Sequence, residues 1–214
     1  MAVKKKTDKA PNGISLVTQT FRVSYPHLFK AQAIGKADPK YSVTMLFAKE
    51  DDISELRGAI AQVKRARWGK DKSKWPEFAH PVVINGDKPK YADKEGYAGH
   101  WAIKASSSED KKPGVVDQDL QKILDPAEIY PGCFARAKVF VTTYDNEFGA
   151  GVTIILDHVQ KVDDGDSIGG RAPAEKSFSP ISSGKKKKKV TDDDDDEDDS
   201  DNEESDDDAD DVNF

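Results

Sequence analysis

Along residues 134–144, FARAKVFVTTY, aromatic and basic side chains alternate with small apolar ones. Successive side chains of a strand point to opposite faces. Ala135, Ala137, Val139, Val141 and Thr143 therefore share one face, and Phe134, Arg136, Lys138, Phe140, Thr142 and Tyr144 the other. The first is an ordinary core face. The second sets rings among cations, which suits stacking on flat bases and ionic contact with phosphates. A base gains about 1–3 kcal/mol on an aromatic ring whatever its identity, so this face predicts a single-stranded nucleic-acid ligand bound without sequence preference. The competing expectation is that Phe134 and Phe140 pack under the helix or under the insertion at 106–131.

A second basic stretch, RARWGKDKSKW, repeats the combination. Arg65, Arg67, Lys70, Lys72 and Lys74 surround Trp68 and Trp75, with Asp71 the one acid between Arg57 and Trp75. Cations mixed with tryptophans suit backbone tracking with stacking. Equally, the cations can serve the negative end of a helix dipole while the tryptophans are buried. Lys104 adds a cation to the strand HWAIKAS, and Tyr91, Tyr97 and Trp101 form a weaker aromatic group near Lys88, Lys90 and Lys94.

Catalytic chemistry has little to stand on. His27, His80, His100 and His158 lie far apart with no partner at zinc spacing, and Cys133 has no neighbouring histidine. No phosphate-cradling glycine loop, dinucleotide fingerprint or nucleophile elbow is present. The sequence predicts no enzyme, no cofactor and no metal site. A carboxylate metal site among Asp87, Asp93, Glu95 and Asp117 is the enzymatic alternative, weakened because polar loops account for all four.

The elements that must carry these residues are mostly strands. ISLVTQTFRVSYPHLF and KYSVTMLFAK are β-rich runs, and HWAIKAS is a third. CFARAKVFVTTYDNEFGAGVTIILDHVQKV reads as strand, turn and strand, with DNEFG as the turn. Between them, EDDISELRGAIAQVKRARWG predicts the main helix. Ile53, Leu56, Ile60 and Val63 recur at helical spacing, Asp51 or Asp52 stands at the start and Gly69 past the end. A short helix is expected near Leu120–Leu124. The sum is an all-β fold with one main helix, an OB-fold-like five-stranded barrel with long loop insertions.

Charge is divided unevenly. Residues 190–214 hold 16 of the 40 acids and no Lys or Arg, which leaves 33 basic against 24 acidic residues in 1–189. That asymmetry points to nucleic acid or to basic partners. The organisation expected is a flexible basic arm at 1–13, a folded domain over 14–165, a lysine-bearing linker at 166–189 and a disordered acidic tail at 190–214. The tail is expected to compete with nucleic acid for the basic groove. Its closing residues, Asp210, Asp211 and Phe214, are candidates to dock on another protein's basic, apolar pocket. One cysteine, no signal peptide and no membrane-length apolar run predict a soluble intracellular protein. A chaperone or DNA mimic that binds basic proteins through the polyanion is the alternative reading.

These residues also carry a resemblance. The acidic tail closing on Phe214 resembles the tails of bacterial and phage single-stranded DNA-binding proteins. VSYPHLF, YPGCFARAKVFVTTYDNEFGAGVTIILDHVQKVDDG and the following IGG resemble a phage family of such proteins, over about residues 14–170. The resemblance implies an OB-fold domain that coats single-stranded DNA in phage replication or recombination, in the cytoplasm of the host. It also implies a tail that recruits replication or recombination proteins, with Phe214 and its acidic neighbours in the docking role.

Overall fold

The computed structural model describes residues 13–169, apart from 34, 36, 79 and 148. Most of the arm and linker, and the tail with Asp210, Asp211 and Phe214, lie outside the described residues.

The first β-rich run divides at Thr18–Thr20 into β1 (Gly13–Val17) and β2 (Phe21–Gln32), followed by β3 (Lys40–Ala48). After α1 (Ser54–Trp68) come β4 (Val83–Asn85), β5 (His100–Ser108), β6 (Gly114–Val116), β7 (Phe134–Asn146) and β8 (Gly149–Asp163). Five of these close a ring. β2 pairs antiparallel with β3, β3 with β5, β7 with β8, and β2 with β7 at Phe21↔Ala135 and Arg22↔Phe134. The ring is completed by a parallel pairing of β5 with β8 at Ser106↔Ile155. This is the five-stranded OB-type barrel, whose closure removes most free edges. β1, β4 and β6 are added on the outside, against β7, β5 and β8.

Alternation puts Val43, Met45 and Phe47 of β3, Ile103 and Ala105 of β5, and Val139 and Val141 of β7 into the barrel, all nearly inaccessible to water. Helix α1 adds Leu56, Ala59, Ile60 and Val63 to the same core, which is the spacing that marked it as a helix. Each such Leu, Ile or Val contributes roughly 1.5–3 kcal/mol by leaving water. At the helix start Ile53, not an aspartate, holds the N-cap position. Asp52 instead accepts from Ser54 N at 2.9 Å, and Asp51 turns back to Ala48 N at 2.7 Å. Gly69 ends the helix at φ 84°, in the left-handed region.

Residues 120–124 correct one expectation. They form no helix, because Leu120 adopts φ 64° and the turn closes on Asp117, whose carboxylate accepts from Asp119 N and Gln121 N. The short helical turn lies later, at Pro126–Glu128.

Candidate nucleic-acid interface

The outer face of β2, β3 and β5 is polar where the inner face is apolar. Thr44 of β3 stands opposite Ser24 of β2 and Lys104 of β5, so these three side chains point outward together. Tyr97 comes down on this face from the loop that precedes β5. Its hydroxyl bonds the Thr44 side chain, and its ring packs with Leu46 and Ala102. Burial holds the Tyr97 hydroxyl above its ordinary pKa, with Tyr25 and Tyr91 adding to the effect.

Tyr25 and Tyr91 flank Tyr97 at centroid distances of 6.5 and 6.1 Å. Lys94 Nζ lies 5.7 Å from both the Tyr25 and the Tyr97 centroids, and Lys90 lies 4.8 Å from Tyr91. Tyr25 is 47 % exposed and sits at φ 46°. A bulky residue in that region stores strain, which persists where a site requires it. Here the strain turns a ring outward beside a lysine.

The field over this face is positive. Burial lowers the Lys104 pKa, and Lys40 and Lys94 lower it further. Burial also lowers that of His27, with Lys104 adding to it. Among the described residues no carboxylate forms an ion pair with Lys40, Lys94 or Lys104. An anion brought here would relieve the mutual repulsion of these cations.

The loop that carries Tyr91, Lys94 and Tyr97 is pinned at its base. Asp87 accepts from Gly99 N at 2.7 Å and pairs with Lys49 Nζ at 3.2 Å. These two bonds hold the Asp87 carboxyl below its ordinary pKa, the Gly99 bond being the larger cause. Lys49 also bonds Asn85 and lies 3.5 Å from the Trp101 ring centroid, which Arg57 approaches at 4.4 Å. Gly86 allows the closure, since a Cβ there would collide with the Tyr97 carbonyl.

The structure gives the β7 side chains the two faces that alternation assigns. Ala135, Ala137, Val139 and Val141 are buried, Arg136 and Lys138 exposed, and Phe134, Phe140 and Tyr144 half-buried. Each of these three rings lies against a glycine: Phe134 on Gly165, Phe140 on Gly13 and Tyr144 on Gly151. Arg136 donates to Gln160 at 2.8 Å. Around the ring β2 separates β7 from β3, so this face and the Tyr25–Lys104 face look in different directions.

At the helix end Arg65, Lys70, Lys72 and Lys74 are exposed, while Arg67 pairs with Asp145 at 3.1 Å and Lys74 with Asp71 at 3.7 Å. Trp68 and Trp75 are half-buried around Phe78, at 5.1 and 6.1 Å, with Lys64 over that ring at 4.3 Å. Trp68 Nε1 is buried with no partner among the described residues, and Trp75 Nε1 donates to Gly69 O at 3.0 Å. Both tryptophans thus contribute largely to packing.

Lys104 is the one residue of the sequence-based site on the Tyr25 face. Tyr25 and His27 fall outside that set, although both stand in VSYPHLF; the signal available is a tyrosine preceding a proline inside a strand. Of the four carboxylates in the enzymatic alternative, Asp87 is tied to Gly99 and Lys49, and Asp117 to its own turn. Among the described residues no group of three or more His, Cys, Asp or Glu is arranged to hold a metal.

The segment after β8 crosses the barrel rim toward the same face. Arg22 donates to the Asp166 carbonyl at 2.5 Å, and Ile168 N donates to Pro131 O at 2.8 Å. Ile168 packs with Leu46 and Tyr97, and Gly169 lies beside Glu95 in the tyrosine loop.

No curated protein sequence matches the chain. Among solved structures, the single-stranded DNA-binding protein of bacteriophage Enc34 in complex with ssDNA is similar at 25% identity and TM-score 0.61, over 78% of this chain and 100% of that one. Another structure of the Enc34 protein gives 24% identity and TM-score 0.57, over 80% of this chain and 96% of that one. The single-stranded DNA-binding protein gp2.5 of bacteriophage T7 shares the fold at 17% identity and TM-score 0.55, over 74% and 91%. The family model of the Enterobacter phage Enc34 ssDNA-binding protein matches residues 14–202. The chain therefore belongs to the family of the Enc34 single-stranded DNA-binding protein.

Proposed function

We propose that the chain binds single-stranded DNA without sequence preference, across the outer face of β2, β3 and β5. Bases stack on Tyr25 and on the edge of the Tyr91–Tyr97 pair, and phosphates take up Lys94, Lys104 and Lys40. The observation that carries this reading is Tyr25, a half-exposed ring held at a strained backbone angle beside Lys94, which has no carboxylate partner among the described residues. The protein protects the strand during phage replication or recombination and acts as a binding protein, not an enzyme.

The acidic run at 192–211 competes with DNA for the basic face and, when displaced, recruits replication proteins. The crossing of Asp166–Gly169 beside the tyrosine loop supports this, because the described residues end at the rim of that face.

The β7 face offers a second path through Phe134, Phe140, Tyr144, Arg136 and Lys138, favoured by its half-exposed rings. Titration with oligo-dT separates the two. Tyr25→Ala should weaken binding by about 1–3 kcal/mol if the ring stacks, with Phe140→Ala near neutral for affinity; the reverse result assigns the strand to β7. Affinity should fall linearly in log–log form with salt, as released counterions require, and a flat response would remove the phosphate contacts from the reading.

A further inference from the structure

Residues Asp164–Gly169, which follow β8, have no regular secondary structure, yet they are bonded along the barrel rim. The Tyr130 hydroxyl accepts from Gly165 N at 3.1 Å and donates to the Asp164 carboxylate at 3.0 Å. Lys161 Nζ pairs with the same carboxylate at 2.7 Å. These two bonds hold Asp164 below its ordinary pKa, that of Lys161 being the larger cause. Arg22 spans Gly132 O at 3.3 Å and Asp166 O at 2.5 Å, and Ile168 N donates to Pro131 O at 2.8 Å. Backbone meets backbone at Gly132, where φ is 113° and a Cβ would collide with the Asp166 carbonyl.

Beyond these bonds the strap ends on an apolar contact. Leu46 of β3, Ala102 of β5 and Tyr97 form a small buried cluster apart from the barrel core, and Ile84, Tyr91 and Ile168 pack around it. Such satellite clusters are usual under long loops. Leu46, Ile84 and Ala102 stand on strands that pairing fixes. Tyr91 and Tyr97 stand on the loop, whose Asp87 bonds fasten only its base. Toward its far end Gly96, at φ 77°, lies so near the strap that a Cβ would come within 2.8 Å of Ile168 Cγ2. Ile168 is thus the member of the cluster that is neither on a strand nor in the loop.

We propose that Ile168 is a positioning residue for DNA binding: the strap sets it against the tyrosine loop and so holds Tyr91 and Tyr97, with Tyr25 beside them, where bases stack. This rests on the reading of the Tyr25 face as the DNA surface. Ile168 itself need not touch DNA. A ring on a loose loop must be immobilised as the base arrives, whereas a ring already packed loses little further freedom on binding. The bonds of Asp164, Gly165 and Asp166 supply that order, because they fasten the strap to β2 and to the Tyr130 turn. A purely covering role, in which Ile168 only shields Leu46 from water, would stabilise the fold and leave affinity alone.

Oligo-dT titration of full-chain variants, joined to hydrogen exchange of the unliganded proteins, tests this. Ile168→Ala should weaken binding about fivefold, as a slackened supporting shell does, and Ile168→Val should restore most of the loss. Amides 91–97 should exchange faster in Ile168→Ala, while those of β3 keep their protection. Tyr130→Phe, which removes only the hydroxyl that holds Asp164 and Gly165, should act in the same sense by about twofold. With Tyr25→Ala and Tyr91→Ala already in place, Ile168→Ala should cost almost nothing further, since its effect runs through those rings. Full affinity in Ile168→Ala overturns the proposal. An equal loss in both backgrounds overturns it too, because Ile168 would then act independently of the rings. If Tyr25→Ala and Tyr91→Ala leave affinity intact, the DNA-face reading fails and the proposal falls with it. If they weaken binding and Ile168→Ala does not, only the proposal falls.

Discussion

At the scale of single residues, the proposed DNA face would set stability against binding at Tyr25 and Lys104. Tyr25 at φ 46° costs the fold strain that glycine would not incur. Tyr25→Gly should therefore leave the melting temperature level or higher while weakening oligo-dT as much as Tyr25→Ala does; a drop in both would make the ring structural. Desolvation, with repulsion from Lys40 and Lys94, holds the folded pKa of Lys104 below the unfolded one. The unfolded chain then holds the proton more tightly, and stability from this group rises with pH between the two values. A bound phosphate works in the opposite sense, so affinity should fall as pH rises through the lysine range. Lys104→Met should raise the melting temperature, weaken binding and reduce the log–log salt slope by about 0.7 for one lost phosphate contact on a single strand. An unchanged slope would place Lys104 outside the DNA path. Of these two residues only Lys104 was chosen from sequence. Tyr25 carries no periodic signal, and its exposure follows from a backbone angle that composition does not encode.

Among the elements, the loop between β4 and β5 has the clearest task. It carries Lys90, Tyr91, Lys94 and Tyr97 of the proposed DNA face on almost no regular structure, and Asp87 ties its two ends together and to Lys49. Asp87→Ala should leave global unfolding nearly unchanged, because an exposed pair contributes little. Amides 88–99 should exchange faster with solvent, and oligo-dT affinity should fall several-fold although Asp87 touches no DNA. Unchanged exchange would show that Gly86 and Tyr97 hold the loop unaided. The helix, β3, β5 and the β7–β8 hairpin were legible in the sequence because their periodicity is local and long. β4 and β6, three residues each, were not, since they exist only through the neighbours they pair with, Ile103 to Trp101 for one and His158 to Gln160 for the other. LQKIL has the apolar spacing of a short helix, while the Asp117 carboxylate that closes the turn competes with a helix for its amides.

For the whole molecule, the division of charge governs behaviour in solution. A body of 33 basic and 24 acidic residues is joined to a run of 16 acids. Tethering gives such a run an effective concentration on the order of millimolar. A chain ending at Lys189 should bind oligo-dT more tightly than the full chain at low salt, with the difference closing as salt rises. Equal affinity at low salt would leave the tail without a competitive part. The sequence by itself determined the barrel class, the helix and its buried stripe, the two faces of β7 and the separation of a basic domain from a polyanion, because alternation and composition are properties of neighbouring residues. Only the tertiary structure decided which surface gathers these rings and cations. Tyr25, Tyr97, Lys94 and Lys104 come from β2, from a loop and from β5, and they meet only once β2–β3–β5 pairing and the Asp87 clamp fix their register. Contacts so distant along the chain depend on the closure of the ring, for which no local pattern speaks.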